Sequence, residues 1–281
     1  METKPFAKQR IALTCAPGGE NHVGNQFIGK RPTNGSGFTP KDITDIHNYI
    51  QQQFPDIECS VLDLNQLSPH KTIQQLPPTD QASVLLLRKF IPTEVADHIY
   101  QECKADEWDS KYYCTRRKKV LNKHKRKNIC YVPGMTQEPN YEEGKGRIVD
   151  LESKDAMHEA FLRLKDVLKQ SIKNPEKVEL NVVEGNLYDN TKKTGIGMHG
   201  DTERTIVVCM SIGGIPEYPM EWVWYKDSKP IGDPFRITLN HGDVYIMSEK
   251  AVGTDWKYRS KYTLRHGAGG VLEAFKKSLA K

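Results

Sequence analysis

The C-terminal half of the chain is a succession of short apolar segments, and this feature constrains the fold more than any other. Each segment after Lys177 has about the length of a β-strand, and residues that favour turns separate it from the next. The segments are VELNVVEGNLY, RTIVVCMSI, MEWVWYK, FRITLN, DVYIMS and KYTLRHG. Many short strands joined by turns predict a β-sandwich or a jelly roll.

The region between residue 83 and these strands contains signals for one strand and two helices. SVLLLRKFI is predicted to form a strand, and Pro92-Thr93 favours the start of a helix that runs to about Cys103. A longer helix is expected between a Ser153 cap and Asn174-Pro175. Its apolar positions recur with helical spacing and predict a buried face: Met157, Phe161, Leu164, Leu168 and Ile172. The predicted fold class is therefore α+β.

The N-terminal part carries its own strand and helix signals. Residues 9–16 and 57–64 are predicted as strands, and Thr39-Pro40 begins a helix that reaches about Phe54. The polar, proline-containing stretch 65–80 is predicted to be a linker. We therefore expect residues 1–75 to form a small α/β extension and residues 76–281 to form the main domain.

Composition limits the class of protein. The chain has 281 residues, of which 37% are hydrophobic, and it lacks an apolar run as long as a membrane span. METKPFAKQR has no apolar core of a signal peptide, and the six cysteines include no CxxC pair. These features predict a reduced, intracellular protein, either cytoplasmic or nuclear. We expect a monomer with no membrane partner.

Positive charge is concentrated in one segment. Residues 110–137 contain no acid and nine lysines or arginines, so without them the net charge of +5 becomes −4. A local positive field favours contact with a phosphate backbone. A solvated loop and a nuclear-import signal remain the alternatives. The residues we expect to contact nucleic acid are Arg116, Arg117, Lys118, Lys119, Arg126 and Lys127.

The stretch GMHGDTERT places a histidine and a carboxylate two residues apart. Residues i and i+2 of a strand point to the same side, so His199 and Asp201 can converge on one point. A third ligand would complete the two-histidine, one-carboxylate set that leaves positions open on iron(II). A surface loop without a metal is the alternative, because such short patterns also occur by chance.

The wider pattern resembles the AlkB family of iron(II)/2-oxoglutarate dioxygenases. Asn186-x-Tyr188, the turn DNTKKTGIG and His199-x-Asp201-x-Glu203 resemble the family's NxY, glycine-containing turn and HxDxxE motifs, although Glu203 follows Asp201 by two residues and not by three. The resemblance covers about residues 83–281. It implies a double-stranded β-helix (jelly-roll) core with flanking helices, iron(II) and 2-oxoglutarate as cofactors, and contacts from Asn186 and Tyr188 to 2-oxoglutarate.

The third metal ligand departs from the family pattern, which supplies a histidine some 55 to 65 residues after the first. His266 in TLRHGAG is the favoured ligand, and His241 is the second candidate. The family-like stretch GDVYIMSEKAVGTDW is instead followed by Tyr258 in the register nearest the family's histidine. A site without a third histidine would be altered or inactive.

The cation that would bind the distal carboxylate of 2-oxoglutarate also departs from the family pattern in its position along the sequence. The family uses the first arginine of an RxNxTxR strand that follows the third ligand. Arg259-x5-Arg265 has that spacing but precedes His266, so the candidates become Arg265, Lys276 and Lys277. We favour Arg265 and Lys276.

The resemblance and the basic segment together imply a substrate class. We expect oxidation of an alkyl group on a base of single-stranded or flipped-out DNA or RNA, as in DNA repair by demethylation, with release of succinate and CO2. The first alternative is a hydroxylase or demethylase of protein side chains, in which the basic segment recognises an acidic partner. The second is a nucleic-acid-binding module with a decayed metal site.

Overall fold

The computed structural model describes residues 8–22, 24–189 and 193–279, and for Ser278 and Leu279 the backbone alone. The strands are β1 (Arg10–Ala16), β2 (Gly18–His22), β3 (Gln26–Gly29), β4 (Cys59–Asp63), β5 (Ser83–Leu87), β6 (Lys111–Cys114), β7 (Lys119–Asn122), β8 (Lys127–Val132), β9 (Ile148–Asp150), β10 (Val182–Tyr188), β11 (Gly195–His199), β12 (Val207–Ile212), β13 (Tyr218–Lys226), β14 (Lys229–Leu239), β15 (Asp243–Met247) and β16 (Thr263–Gly269). The helices are α1 (Pro40–Gln53), α2 (Lys71–Gln74), α3 (Thr93–Ala105), α4 (Asp155–Ser171), α5 (Glu249–Val252) and α6 (Leu272–Leu279).

Two sheets form the body of the fold. The large sheet has eight strands in the order β4-β5-β15-β12-β1-β10-β8-β9, and the small sheet has four in the order β11-β16-β13-β14. Apart from the parallel β8–β9 pair, neighbouring strands in both sheets are antiparallel. This arrangement confirms the predicted α+β fold with a jelly-roll core.

Helices α1, α3 and α4 pack against the outer face of the large sheet. Their buried residues, such as Ile46, Ile99 and Phe161, share one core with Leu13 of β1 and Met210 of β12. The apolar stripe predicted for α4 is therefore core. A second core lies between the two sheets and contains two buried tryptophans of β13, Trp222 and Trp224.

The ends of the helices show how the chain enters them. Thr39 caps α1 by accepting from the Asp42 backbone N–H at 3.1 Å, and the Asp42 carboxylate accepts from the Thr39 N–H at 2.7 Å. For α4, the side chain of Glu102 on α3 accepts from the first-turn N–H groups of Ala156 and Met157. The predicted Ser153 cap is thus replaced by an acid from a neighbouring helix, which also ties α3 to α4.

The N-terminal segment does not form the separate α/β unit expected for residues 1–75. β1 lies in the middle of the large sheet, antiparallel to β10 on one side and to β12 on the other. Leu13 and Cys15 are fully buried beneath the helices. Removing β1 would expose this core and leave β10 and β12 unpaired along those edges, so the main domain depends on it.

Within the basic segment, β6 and β7 form a two-stranded hairpin, residues 111–122, called here the basic hairpin. Its turn and the first residue of β7 carry four exposed cations: Arg116, Arg117, Lys118 and Lys119. His22, at the end of β2, accepts the backbone N–H of Tyr113 at 2.7 Å and so anchors the hairpin to the fold. Arg126 and Lys127 lie beyond the hairpin, where β8 begins.

Candidate metal centre

The two sheets enclose a cavity of about 410 Å³. Alternation along β1 directs Arg10, Ala12 and Thr14 into it, while the residues between them face the helices. The opposite wall is built from the small sheet, including His266 of β16. The cavity is thus lined by strands that come from both ends of the chain.

Three side chains in this cavity form a candidate metal centre. His199 ends β11 and is paired with His266 across the β11–β16 ladder, and Asp201 follows two residues later. One ligand atom from each of the three lies within 4.8 Å of the other two. His199 Nε2 is 3.2 Å from Asp201 Oδ1, and His266 Nε2 is 3.9 Å from the same oxygen. His199 and Asp201 therefore converge as the sequence predicted.

Glycine between the two ligands is required by packing. A Cβ at Gly200 would collide with the carbonyl oxygen of Gly253 and lie 2.6 Å from the Trp256 ring. The backbone N–H of Asp201 donates to the carbonyl of Val252 at 3.2 Å. The chain therefore presses against the segment after α5, and this contact holds Asp201 beside His199.

The protonation states of Asp201 and His266 suit metal binding. Burial lowers the pKa of His199, but the Asp201 carboxylate outweighs it and raises that pKa above its usual value. Burial and the nearby His199 lower the pKa of His266 to about 3, so its imidazole is neutral. Burial raises the pKa of Asp201, but Arg204 and the two histidines outweigh it and hold that pKa well below its usual range. His199 Nδ1 lies 2.8 Å from the carbonyl of Gly197, which leaves Nε2 directed at Asp201. Two imidazole nitrogens and one carboxylate are ligands that iron(II) accepts.

A buried arginine organises the carboxylates beside this centre. Arg204 donates to Glu184 in a short hydrogen bond, lies 3.1 Å from Glu203 Oε1, and places Nε 3.5 Å from Asp201 Oδ2. These charges raise the pKa of Arg204 well above its usual value despite burial. Arg204 therefore neutralises several acids at once.

The predicted cosubstrate contacts both reach the cavity. Asn186 of β10 accepts from Arg126 Nε at 2.7 Å and donates to Glu184 at 3.1 Å. Tyr188 packs its ring 5.4 Å from that of Tyr218, and burial raises its pKa to about 12. The turn between Tyr188 and β11 includes residues 190–192, which lie outside the described residues.

The second candidate for the third ligand lies elsewhere. His241 Nε2 is 3.1 Å from Asp97 on α3, and Nδ1 accepts the backbone N–H of Gly213 at 2.9 Å. It neither lines the cavity nor belongs to the His199–Asp201–His266 group. Of the two histidines considered, the fold brings His266 alone to the metal centre.

The two predicted cations are not in the cavity. Arg265 precedes His266 on a strand and so faces the opposite side, where its guanidinium lies 4.0 Å from the centre of the Tyr225 ring. Lys276 of α6 pairs with Glu221 at 3.1 Å. Neither lines the cavity. The structure corrects both predictions, because alternation and an existing ion pair turn these charges away.

Sequence reasoning missed Arg10, a buried cation that does line the cavity. We call its surroundings the closed end of the cavity, formed by Arg10, Tyr188, Ser211 and Tyr218, each at most 3% exposed. A signal was present in RIALTCA, where Arg10 and Thr14 have the spacing of the arginine and threonine in RxNxTxR. It was missed because this strand opens the chain instead of following the third ligand.

The other end of the cavity, which we call the open end, adjoins a second cavity of about 530 Å³. Lys123, His124 and Lys125 line this second cavity, together with Tyr112 of the basic hairpin. Both cavities share the residues that define the open end: Glu20, Arg126, Glu184, Asn186 and Glu203. Arg126 thus lines both the cavity of the metal centre and the second cavity. Lys127 instead pairs with Asp189 at 3.1 Å.

Comparisons with known proteins agree with this geometry. Residues 83–252 match a family model described as the 2OG-Fe(II) oxygenase superfamily. The match begins after β1 and ends before β16, so it includes neither Arg10 nor His266. A curated relative, "Uncharacterized protein R156" of Acanthamoeba polyphaga mimivirus, is 36% identical over 263 residues, which cover 93% of this chain and 96% of that protein. Among the described residues, no helix is long and apolar enough to cross a membrane.

Proposed function

The chain belongs to the 2OG-Fe(II) oxygenase superfamily and is an iron(II)- and 2-oxoglutarate-dependent dioxygenase, and from this premise we propose that its substrate is nucleic acid. Within the superfamily we assign it to the AlkB-like group. Two features support this assignment: the NxY strand upstream of the metal motif, and the lysines of the basic segment that line the second cavity beside the open end. In the proposed reaction the enzyme oxidises an alkyl group on a base.

His199, Asp201 and His266 are the proposed iron ligands. Their donor atoms converge, the His266 imidazole is neutral, and the Asp201 carboxylate stays ionised. These three residues would hold iron(II), which would supply the oxidising chemistry together with 2-oxoglutarate.

Asn186 and Tyr188 are the proposed polar contacts to 2-oxoglutarate. Both project from β10 into the cavity on the same side of the strand, two residues apart. The Asn186 amide is held by Arg126 and Glu184, so its orientation is fixed before a ligand binds. Preorganised contacts of this kind reduce the entropic cost of binding.

The open end supports a nucleic-acid substrate. The exposed turn of the basic hairpin supplies positive charge for phosphates, and Tyr112 lines the second cavity, where an extruded base can stack. Glu20, Glu184 and Glu203 stand between that cavity and the metal centre. Carboxylates at this position favour a base that offers N–H donors or carries a positive charge.

The atoms of the proposed reaction balance without a further reductant. Oxidation of 2-oxoglutarate to succinate and CO2 takes one atom of O2, and the other enters a C–H bond of the alkyl group. If that group is an N-methyl, the N-hydroxymethyl product breaks its C–N bond and releases formaldehyde and the free base.

The test is succinate formation with a panel of methylated single-stranded and duplex DNA and RNA oligonucleotides. We expect turnover above the level seen with the unmethylated oligonucleotides, and loss of one methyl group, or its hydroxylation, by mass spectrometry. The Asp201→Ala variant is the control for contaminating activity. Turnover with peptides and none with any oligonucleotide would overturn the proposal in favour of a protein substrate.

A further inference from the structure

Arg10 is a buried charge that forms no ion pair with a carboxylate among the described residues. Nη1 donates to Ser211 Oγ at 3.0 Å, and Nη2 donates to the carbonyl oxygens of Ile215 and Leu239. The acid whose charge most favours it, Asp243, is already bonded to Arg88 at 2.7 Å. Burial lowers the pKa of Arg10 to about 10, so the guanidinium is still charged at neutral pH. A buried cation without a counterion is costly unless an anion joins it.

Two buried polar atoms near this charge lack a hydrogen-bond partner among the described residues. They are Arg10 Nε and the hydroxyl oxygen of Tyr218, and both side chains line the cavity. The Arg10 guanidinium carbon lies 5.9 Å from the centre of the Tyr218 ring. Arg10 is also paired with Tyr188 across the β1–β10 ladder. The closed end therefore contains unpaired N–H and O–H groups of the kind that bind a carboxylate.

The position of this cluster suits a short dicarboxylate held at the metal centre. A Cβ at Gly269 would collide with the Tyr218 hydroxyl, so that hydroxyl lies beside Gly269. Gly269 follows His266 by three residues on β16, and three residues of strand span about 10 Å. A ligand that chelates iron at one end can thus present its second carboxylate to the closed end.

The other cations near the cavity are committed elsewhere. Arg204 is paired with Glu184, Glu203 and Asp201, and Arg126 donates to Asn186 at the open end. Arg265 and Lys276 do not line the cavity.

We propose that Arg10, on the N-terminal strand, binds the distal carboxylate of 2-oxoglutarate. This inference rests on the proposed placement of 2-oxoglutarate between the metal centre and Tyr188. β1 then has two roles: it joins β10 to β12 in the large sheet and supplies the cation that selects a dicarboxylate. The strand between β10 and β12 in the large sheet is β1, which comes from the N-terminal part of the sequence. After β16, the described residues form the helix α6 and no further strand.

The test compares two cosubstrate analogues by calorimetry with the manganese(II)-loaded protein, which measures binding without turnover. 2-Oxoglutarate carries the distal carboxylate, and 2-oxopentanoate has the same chain length without it. We expect the native protein to prefer 2-oxoglutarate by about 10- to 100-fold, the range for hydrogen bonds to a charged group. In Arg10→Gln this preference falls to within about threefold, while 2-oxopentanoate binds as before.

Arg126→Gln is the matched control, because Arg126 also lines the cavity but at the open end. Loss of Arg126 releases the Asn186 amide and should weaken the binding of both analogues alike, so the preference for 2-oxoglutarate should be kept. If Arg126→Gln loses the preference and Arg10→Gln keeps it, the inference is wrong. Equal weakening of both analogues in Arg10→Gln would indicate a structural role and also overturn it.

Manganese binding without an analogue checks that each variant is folded. If Arg10→Gln does not fold, Arg10→Met carries the test, because methionine keeps an unbranched apolar stem and removes the charge. An unchanged preference in Arg10→Met would count against the inference, and a reduced one supports it. Failure of the native, metal-loaded protein to bind 2-oxoglutarate is a different result, since it would contradict the proposed placement itself.

Discussion

The two ends of the cavity differ in how their charges are balanced. At the closed end, Arg10 is a single buried cation that forms no ion pair among the described residues. At the open end, Arg204 is held between Glu184 and Glu203, and Arg126 lies at the edge of an exposed basic region. An unbalanced buried charge suits one fixed anion, whereas a mixed and partly exposed set suits a larger, variable substrate.

This difference also has an energetic side. Removing the partner of a desolvated charge lowers the stability of the protein strongly. Exposed charges contribute little to stability, and salt weakens their interactions. The cavity therefore has a buried end proposed for the cosubstrate and a partly exposed end proposed for the substrate. Substitutions of the buried groups should have large effects on stability or ligand binding, whereas substitutions in the basic hairpin should have small effects on stability.

The largest effect is expected at the metal centre, which lies between the two ends. His266→Ala removes one of three converging ligands, so we expect metal affinity to fall by more than about 100-fold, beyond the loss caused by removing an outer partner of a ligand. His241→Ala is the matched control, because that side chain pairs with Asp97 away from the cavity. Iron content and succinate formation measure both. Retained iron in His266→Ala, with loss in His241→Ala, would reverse the ligand assignment.

An effect of intermediate size is expected from the buried acids of the open end. Glu184→Gln removes the closest partner of the buried Arg204, and we expect the free energy of unfolding to fall by about 3 kcal/mol. The control is Glu179→Gln, which breaks the exposed pair with Lys30 and should cost less than about 1 kcal/mol. Urea unfolding of both variants gives the comparison. Similar losses in the two variants would mean that Arg204 is not held by a desolvated pair.

The sequence predicted the parts of the molecule that depend on local pattern. Alternating apolar segments gave the strands of both sheets, and the i, i+2 rule placed His199 beside Asp201. The same rule, applied one step further, excludes Arg265. If His266 faces the cavity, its neighbour on the strand faces the other way.

The position of β1 could not be obtained in this way. Its partners, residues 182–188 and 208–212, lie far along the chain, and local propensity carries no information about which distant strand it joins. Arg10 therefore looked like an ordinary polar residue at the start of a strand. Its burial follows from pairing alone, because a strand inside a two-sided sheet must turn alternate residues into the cavity.

The smallest effect on folding, and a clear effect on binding, is expected at the turn of the basic hairpin. Replacing Arg116, Arg117, Lys118 and Lys119 with Ser removes exposed charges, so the free energy of unfolding should change by less than about 0.5 kcal/mol. If about four of these charges contact phosphates, the native protein should lose affinity for single-stranded nucleic acid with a log–log salt slope of roughly −3 to −4, and the variant should show a much flatter slope. Fluorescence anisotropy at several salt concentrations measures this slope, and 2-oxoglutarate binding should stay unchanged.

The control carries the same loss of charge at exposed lysines outside the basic hairpin: Lys41, Lys71, Lys104 and Lys173. If the control flattens the slope as much as the hairpin variant, binding depends on net charge alone and the hairpin is not the contact surface.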